Sequence, residues 1–258
     1  MDDGRESALF ARATLPSKLP RSLFSGRILA ELRMAVINGQ LPKGTRLVEH
    51  QLAADFGVSR GPVRSALQVL EGEGLVETLP SGGMASAGFS VNDLASLFRV
   101  RHLLEATAVR YGVEADVPTA SVEAALDQLI AVSDEGRFVE LDTAFHRTIV
   151  EFGESRFLLR SWASLAPVIE AVIGIGHMAA TSQFAAHKRA HILEAHIPIV
   201  DAIKAGQADR AAALLDEQFR DAESVFREYF RTLPRTPLPM TMTLSARSGA
   251  KICGQLDG

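Results

Sequence analysis

Cysteine is nearly absent from this chain of 258 residues, with Cys253 the single example. Without a partner in the sequence it excludes an intrachain disulfide framework and any zinc site built on several thiolates, so a reducing, cytoplasmic setting is expected. Long apolar runs are missing too. The stretch APVIEAVIGIGHMAA is shorter and more interrupted than the roughly 20 apolar residues a spanning helix needs, so no membrane span is expected. The opening residues MDDGRE lack the basic start and apolar core of a signal peptide, and export is not expected. Nor is there an excess of positive charge. The chain carries 27 Lys and Arg against 31 Asp and Glu, a formal charge of −4, which argues against indiscriminate coating of nucleic acid.

That near-neutral balance hides an asymmetry. Residues 1–84 carry 10 basic against 9 acidic residues, residues 85–231 carry 14 against 21, and the tail from 232 carries 3 against 1. Any contact with nucleic acid is therefore expected from the N-terminal third, through placed arginines rather than a strong overall field. The acidic excess of the middle segment is most simply a solvated helical exterior.

Periodicity divides the chain. Residues 1–20 mix charge, Ser and Pro without a period and read as a flexible arm; residues 232–258, rich in Pro, Thr and Gly, read as a disordered tail. Between them nearly everything is expected to be helix. Leu23, Ile28, Leu32, Ala35 and Val36 form one apolar stripe that stops at Asn38 and Gly39. A second helix over Val48 to Phe56 is expected to bury Leu52, Ala53 and Phe56 before Gly57 turns the chain. A third starts after Ser59 as N-cap, with Pro62 in its first turn, and buries Val63, Ala66, Leu67 and Leu70. LVETL then alternates as a strand, PSGG turns, and MASAGF returns. Helix, helix, turn, helix and hairpin over residues 21–88 make a winged helix-turn-helix. Residues 91–231 show no convincing strand and suggest about six helices, near 91–114, 119–133, 135–152, 156–179, 184–205 and 208–231, broken by Gly112, Pro118, Gly136, Gly153, a weak point at Gly174 to Gly176, and Gly206. The fold class expected is mainly α, a winged helix-turn-helix followed by an all-helical bundle.

The third helix carries Arg60, Arg64 and Gln68 on the face opposite its apolar stripe, with Ser59 and Gly61 at its mouth. Arg reaches guanine O6 and N7 in bidentate fashion, Gln pairs with adenine, and Ser takes phosphate oxygens. The small residues Gly61 and Ser65 let such a helix sit deep in a groove, and Gly82 and Gly83 let the hairpin tip approach a backbone closely. A surface helix whose arginines are merely solvated explains the helix taken alone equally well; the surrounding unit favours DNA.

GQLPKGTRLVEHQLAADFGVSRGPVRSALQVLEGEGLVETLPSGGMA resembles the DNA-binding domain of the GntR family of bacterial transcription regulators. The resemblance implies contacts with double-stranded DNA by Arg60 and Arg64, assisted by Ser59, Gly61 and Gly82 or Gly83. The family commonly has arginine after the glutamate of its second helix, where this chain has His50 after Glu49; a contact from His50, neutral for the most part near pH 7, is expected to be weaker. RVRHLLEATAVRYG, LDTAFHRTIVEFG and HIPIVDAIKAGQADRAAALLDEQF resemble the effector domain of the FadR-type branch, the FCD domain. That resemblance implies a divalent metal held by an aspartate and histidines beneath a small carboxylate effector.

Asp142 and His146 stand four apart on one helix face, close enough to share an ion. His196 falls on the family's later histidine, and Gln218 where the family has another; an amide is a poorer ligand than imidazole for zinc, nickel or manganese. Arg101 matches the family's arginine and would hold an effector carboxylate as a bidentate pair. Alternatives stand beside these. Core histidines are more often hydrogen-bonded than ligating, His187 and His191 are a rival pair at the same spacing, and Arg101 has an i, i+4 partner in Glu105. The overall expectation is a homodimeric repressor, not an enzyme, on a two-fold operator. Two other readings are a metal-free regulator sensing a larger, apolar-tailed ligand, and a helical metalloenzyme fused to a DNA-binding module, for which no general base, nucleophile or cofactor motif is evident.

Overall fold

The computed structural model describes residues 21–178 and 182–232. The arm expected over 1–20, the tail beyond Thr232 and Cys253 lie outside the described residues. The chain divides into two compact units after Gly88.

The first unit runs α1 (Arg21–Ile37), β1 (Arg46–Leu47), α2 (Glu49–Phe56), α3 (Arg60–Gly72), β2 (Val76–Thr78) and β3 (Met84–Ser86). Its core joins the expected stripes: Ile28, Leu32, Ala35 and Val36 of α1 are buried, as are Val63, Ala66, Leu67 and Leu70 of α3, and α1 packs on α3. Each such Val, Leu or Ile contributes roughly 1.5–3 kcal/mol when fully buried. Arg33 reinforces the contact by a bidentate bond to Glu73, at 2.6 and 2.7 Å. Gly57 ends α2 in the left-handed region at φ 65°, the conformation that makes the turn into α3. Three expectations change. Phe56 is only half-buried. Ser59 occupies the N-cap position of α3, but its side chain makes no capping bond. The hairpin is part of a three-stranded sheet in the order β1-β3-β2, because β1 pairs antiparallel with β3 through Arg46 opposite Ala85. A two-residue strand is too short to show alternation in sequence.

The second unit consists of α4 (Val91–Glu114), α5 (Ala120–Ala131), α6 (Glu135–Phe152), α7 (Arg156–Met178), α8 (Ser182–Lys204) and α9 (Ala208–Thr232). Ser90 and Asp93 form a capping box at the start of α4. α4 packs against α6, α7 and α9, while α8 packs against α5 and α9. Gly112 does not break α4. A Cβ there would lie 2.3 Å from the Phe152 ring, and one on Gly153 would lie 2.7 Å from Cα of Ala108. The two glycines thus allow α4 and α6 to approach closely. Gly136 lies inside the first turn of α6, and α7 continues through Gly174 and Gly176, since a glycine within a helix weakens it by only about 1 kcal/mol.

One expectation about length is also corrected. Arg156–Ile175 within α7 is long and apolar enough, by length and composition, to cross a membrane. The stretch carries Arg156, Arg160 and Glu170, and Trp162, Val168, Ile169, Val172, Ile173 and Ile175 are buried inside the bundle.

Candidate functional site

The first candidate surface is the mouth of α3. Ser59, Arg60, Gly61, Arg64 and Gln68 are all exposed, because the apolar positions of the same helix turn it inward on Val63 and Leu67. His50, on the first turn of α2, is exposed as well. Gly82 and Gly83 form the tip between β2 and β3 with φ of 83° and 86°, a backbone only glycine adopts without strain. The turn is closed by the Leu79 N–H donating to Gly83 O at 2.9 Å. Sequence reasoning missed two neighbours. Arg46 on β1 donates to Ser81 Oγ in the hairpin turn at 3.1 Å. Glu49 accepts two bonds from Arg64, at 2.8 and 2.9 Å, and these hold the Glu49 carboxyl below its ordinary value.

The second candidate site is buried in the helical unit and draws on five helices. Asp142 and His146 come from α6, His196 from α8, Gln218 from α9, Arg101 and Glu105 from α4, and Trp162 from α7. Trp162, His146, His196 and Glu105 are fully enclosed. Nδ1 of His146 lies 2.6 Å from Glu105 Oε2, and Nδ1 of His196 lies 2.6 Å from Ile192 O. Ile192 O can only accept, so Nδ1 of His196 bears the proton and its Nε2 directs a lone pair inward; the same holds for His146 when Glu105 is ionised. The two Nε2 atoms are 3.1 Å apart, and Asp142 Oδ1 is 3.1 Å from Nε2 of His196. Such a cluster of acceptors is satisfied by a proton, a metal ion or a further donor. Among the described residues, ligand atoms of Asp142, His146 and His196 all fall within 4.8 Å of one another.

Of the rival pair, His191 is exposed, and the side chain of His187 lies outside the described residues. Gln218 turns its amide nitrogen toward the imidazoles, at 3.4 Å from Nε2 of His146 and 3.3 Å from Nε2 of His196.

Burial and charge set the ionisation. Burial pushes Glu105 up to about 7 against the pull of Arg101, whose Nε donates to Glu105 at 2.9 Å. Burial, with the positive charge of Arg101, holds His146 well below the ordinary 6.5, so it is neutral. Burial works to raise Asp142, but its neighbours His196, His146 and Arg101 outweigh it and keep the carboxylate ionised. The alternative partner of Arg101 is thus present, yet it does not satisfy the whole guanidinium. Among the described residues, Arg101 Nη2 and Trp162 Nε1 are buried donors with no partner, while Asp142 Oδ1 and Gln218 Oε1 are buried acceptors with none. The guanidinium carbon lies 5.4 Å from the Trp162 ring centroid and 4.4 Å from that of Phe219. Trp162 was invisible to sequence reasoning, since a tryptophan in an apolar helix looks like core.

An exposed arginine-bearing winged helix followed by a helical unit is the architecture of a DNA-binding transcription regulator. Residues 24–85 match the family described as bacterial regulatory proteins, gntR family, and residues 96–221 match the FCD domain. The chain belongs to the GntR family. It is 30% identical over 210 residues to the gluconate operon transcriptional repressor of Bacillus licheniformis, covering 80% of this chain and 86% of that protein. It is also 30% identical to a protein of Paenarthrobacter nicotinovorans named as probable D-xylose utilization operon transcriptional repressor, over 75% of this chain and 84% of that one. Among solved structures, Escherichia coli McbR/YncC shares the fold with a TM-score of 0.58 at 20% identity, over 80% of this chain and 98% of that chain.

Proposed function

We propose that this protein is a cytoplasmic, homodimeric repressor that binds a pseudo-palindromic operator and changes its grip when the helical unit takes up a divalent metal together with a small carboxylate. On DNA, Arg60, Arg64 and Gln68 address base edges, Ser59, Gly61 and His50 lie against phosphates, and Gly82 and Gly83 bring the wing to the sugar-phosphate backbone. In the bundle, Asp142, His146 and His196 hold zinc, nickel or manganese, Gln218 lies beside the fourth position, and Arg101 takes the effector carboxylate.

The observation that carries this reading is the pairing of orphaned atoms. Two buried acceptors, Asp142 Oδ1 and Gln218 Oε1, lack a partner that a cation would supply, and two buried donors, Arg101 Nη2 and Trp162 Nε1, lack one that a carboxylate would supply. A metal ion when bound would supply the positive charge that draws a carboxylate into this enclosed site. Gln218 must turn its oxygen inward to contribute, which a flip of its side-chain amide achieves. The effector couples to DNA by binding one of two dimer arrangements more tightly.

The names of the relatives make D-gluconate and D-xylose the first probes. The test is a gel-shift titration of metal-loaded and chelator-stripped protein on its own upstream DNA, with each sugar compound added. A shift in operator affinity with D-gluconate that requires metal is the expected result. A response independent of metal would favour the second reading, a metal-free sensor, which gains support from the amide nitrogen that Gln218 now turns toward the imidazoles.

A further inference from the structure

Arg64 and Glu49 stand 15 residues apart, on α3 and α2, and the turn at Gly57 brings them together. The geometry is specific. Arg64 Nε donates to Oε1 at 2.9 Å and Nη2 to Oε2 at 2.8 Å, so the carboxylate occupies the side edge of the guanidinium. The end edge, formed by Nη1 and the second hydrogen of Nη2, is not used by this pair. Side-chain exposure is 61% for Arg64 and 32% for Glu49, so the arginine stays largely open to solvent while it is paired. Arg60 adds a second positive charge near Glu49. Exposed ion pairs of this kind contribute little to folding, which leaves the arrangement without a structural purpose.

We propose that Glu49 is a specificity-determining residue of the DNA-reading face, clamping Arg64 by its side edge so that the end edge meets a guanine as a fixed fork. The inference rests on the reading of Arg64 as a base contact. An arginine fork fits guanine O6 and N7, and holding it rigid in advance removes the ordering that binding would otherwise require. The carboxylate has a second effect. It places negative charge near the phosphates, which weakens every non-specific encounter while the guanine contact offsets it at the correct site. Glu49 thus separates the correct sequence from all others by acting on both terms.

The test uses the full-length chain, a duplex enriched by the wild type from a random-sequence pool, and a scrambled duplex of the same length. Glu49→Gln is expected to lower the ratio of the two affinities about tenfold, with weaker binding to the enriched duplex and equal or tighter binding to the scrambled one. Glu49→Asp keeps the charge but shortens the reach, and should lose enriched-duplex affinity without gaining on the scrambled one. Arg64→Lys should lower the ratio by a similar factor, and the double variant Glu49→Gln with Arg64→Lys no further than Arg64→Lys alone. If Arg64→Lys collapses the ratio while Glu49→Gln leaves it within about twofold of wild type, Arg64 reads DNA without Glu49 and the proposal is overturned. If Arg64→Lys also leaves the ratio intact, the base contact itself is wrong and the proposal falls with it. A parallel fall of both affinities with a lower unfolding temperature would assign Glu49 a structural role only.

Discussion

The two units place their polar groups in opposite surroundings. In the winged unit Arg60, Arg64 and Gln68 are exposed, and their arrangement follows from one helix whose other face is buried. In the helical unit Arg101, Glu105, Asp142, His146 and His196 are buried, and they meet only because α4, α6 and α8 converge. An exposed side chain is nearly neutral for folding, so it is available for binding. A buried one is coupled to stability and to its partners' protonation. The same substitution, arginine to a neutral residue, should therefore report on different quantities in the two units.

The largest expected effect is on the stability of the helical unit. Arg101→Leu leaves Glu105 buried without its cation, and breaking such a pair costs about 3–5 kcal/mol. Thermal unfolding of the full chain reads this directly; a loss of under about 1 kcal/mol would mean that the interior is wetter than its burial implies.

Next comes DNA affinity. Arg64→Ala and Arg60→Ala should each weaken binding to the preferred duplex by about 1–3 kcal/mol if they read bases. Stability in both variants should stay within about 0.5 kcal/mol of wild type. Unchanged affinity in a gel-shift titration would remove that residue from the interface.

The smallest effect, and the sharpest, is the sign of a pH slope in metal-free protein. The Glu105 value is raised by burial from 4.5 to about 7, so its contribution is complete below 4.5 and is lost as pH rises toward 7. His146 is lowered well below 6.5, so its contribution is present above 6.5 and is lost as pH falls. The two oppose each other across this window. Glu105→Gln should therefore leave stability rising with pH, and His146→Ala should leave it falling. Urea denaturation at several pH values, with chelator present, reads both slopes; equal signs would show that burial does not shift Glu105 and His146 in opposite directions.

The same contrast explains what was legible in sequence. The exposed row of α3 was readable because one helix displays it at fixed offsets, and its apolar stripe assigns the outward face. Asp142 and His146 were readable for the same reason, one turn apart on α6. What escaped notice depends on contacts distant in sequence. Glu49 acquires its role only through Arg64, 15 residues on, and Trp162 only through Arg101, 61 positions earlier. Gly112 looked like a helix end because glycine often is one, whereas it serves the close approach of Phe152. The strand β1 was lost because two residues carry no period.

In the proposed site the buried acceptors of α6 and α8 hold a metal ion, and the exposed arginines of α3 have no part in it. The direct measurement is metal content per chain by mass spectrometry, on protein purified without a histidine tag or chelator. About one zinc, nickel or manganese per chain in the wild type and in Arg64→Ala, lost in His146→Ala, is the expected result. A wild-type protein that remains empty after incubation with each of these metals would contradict it.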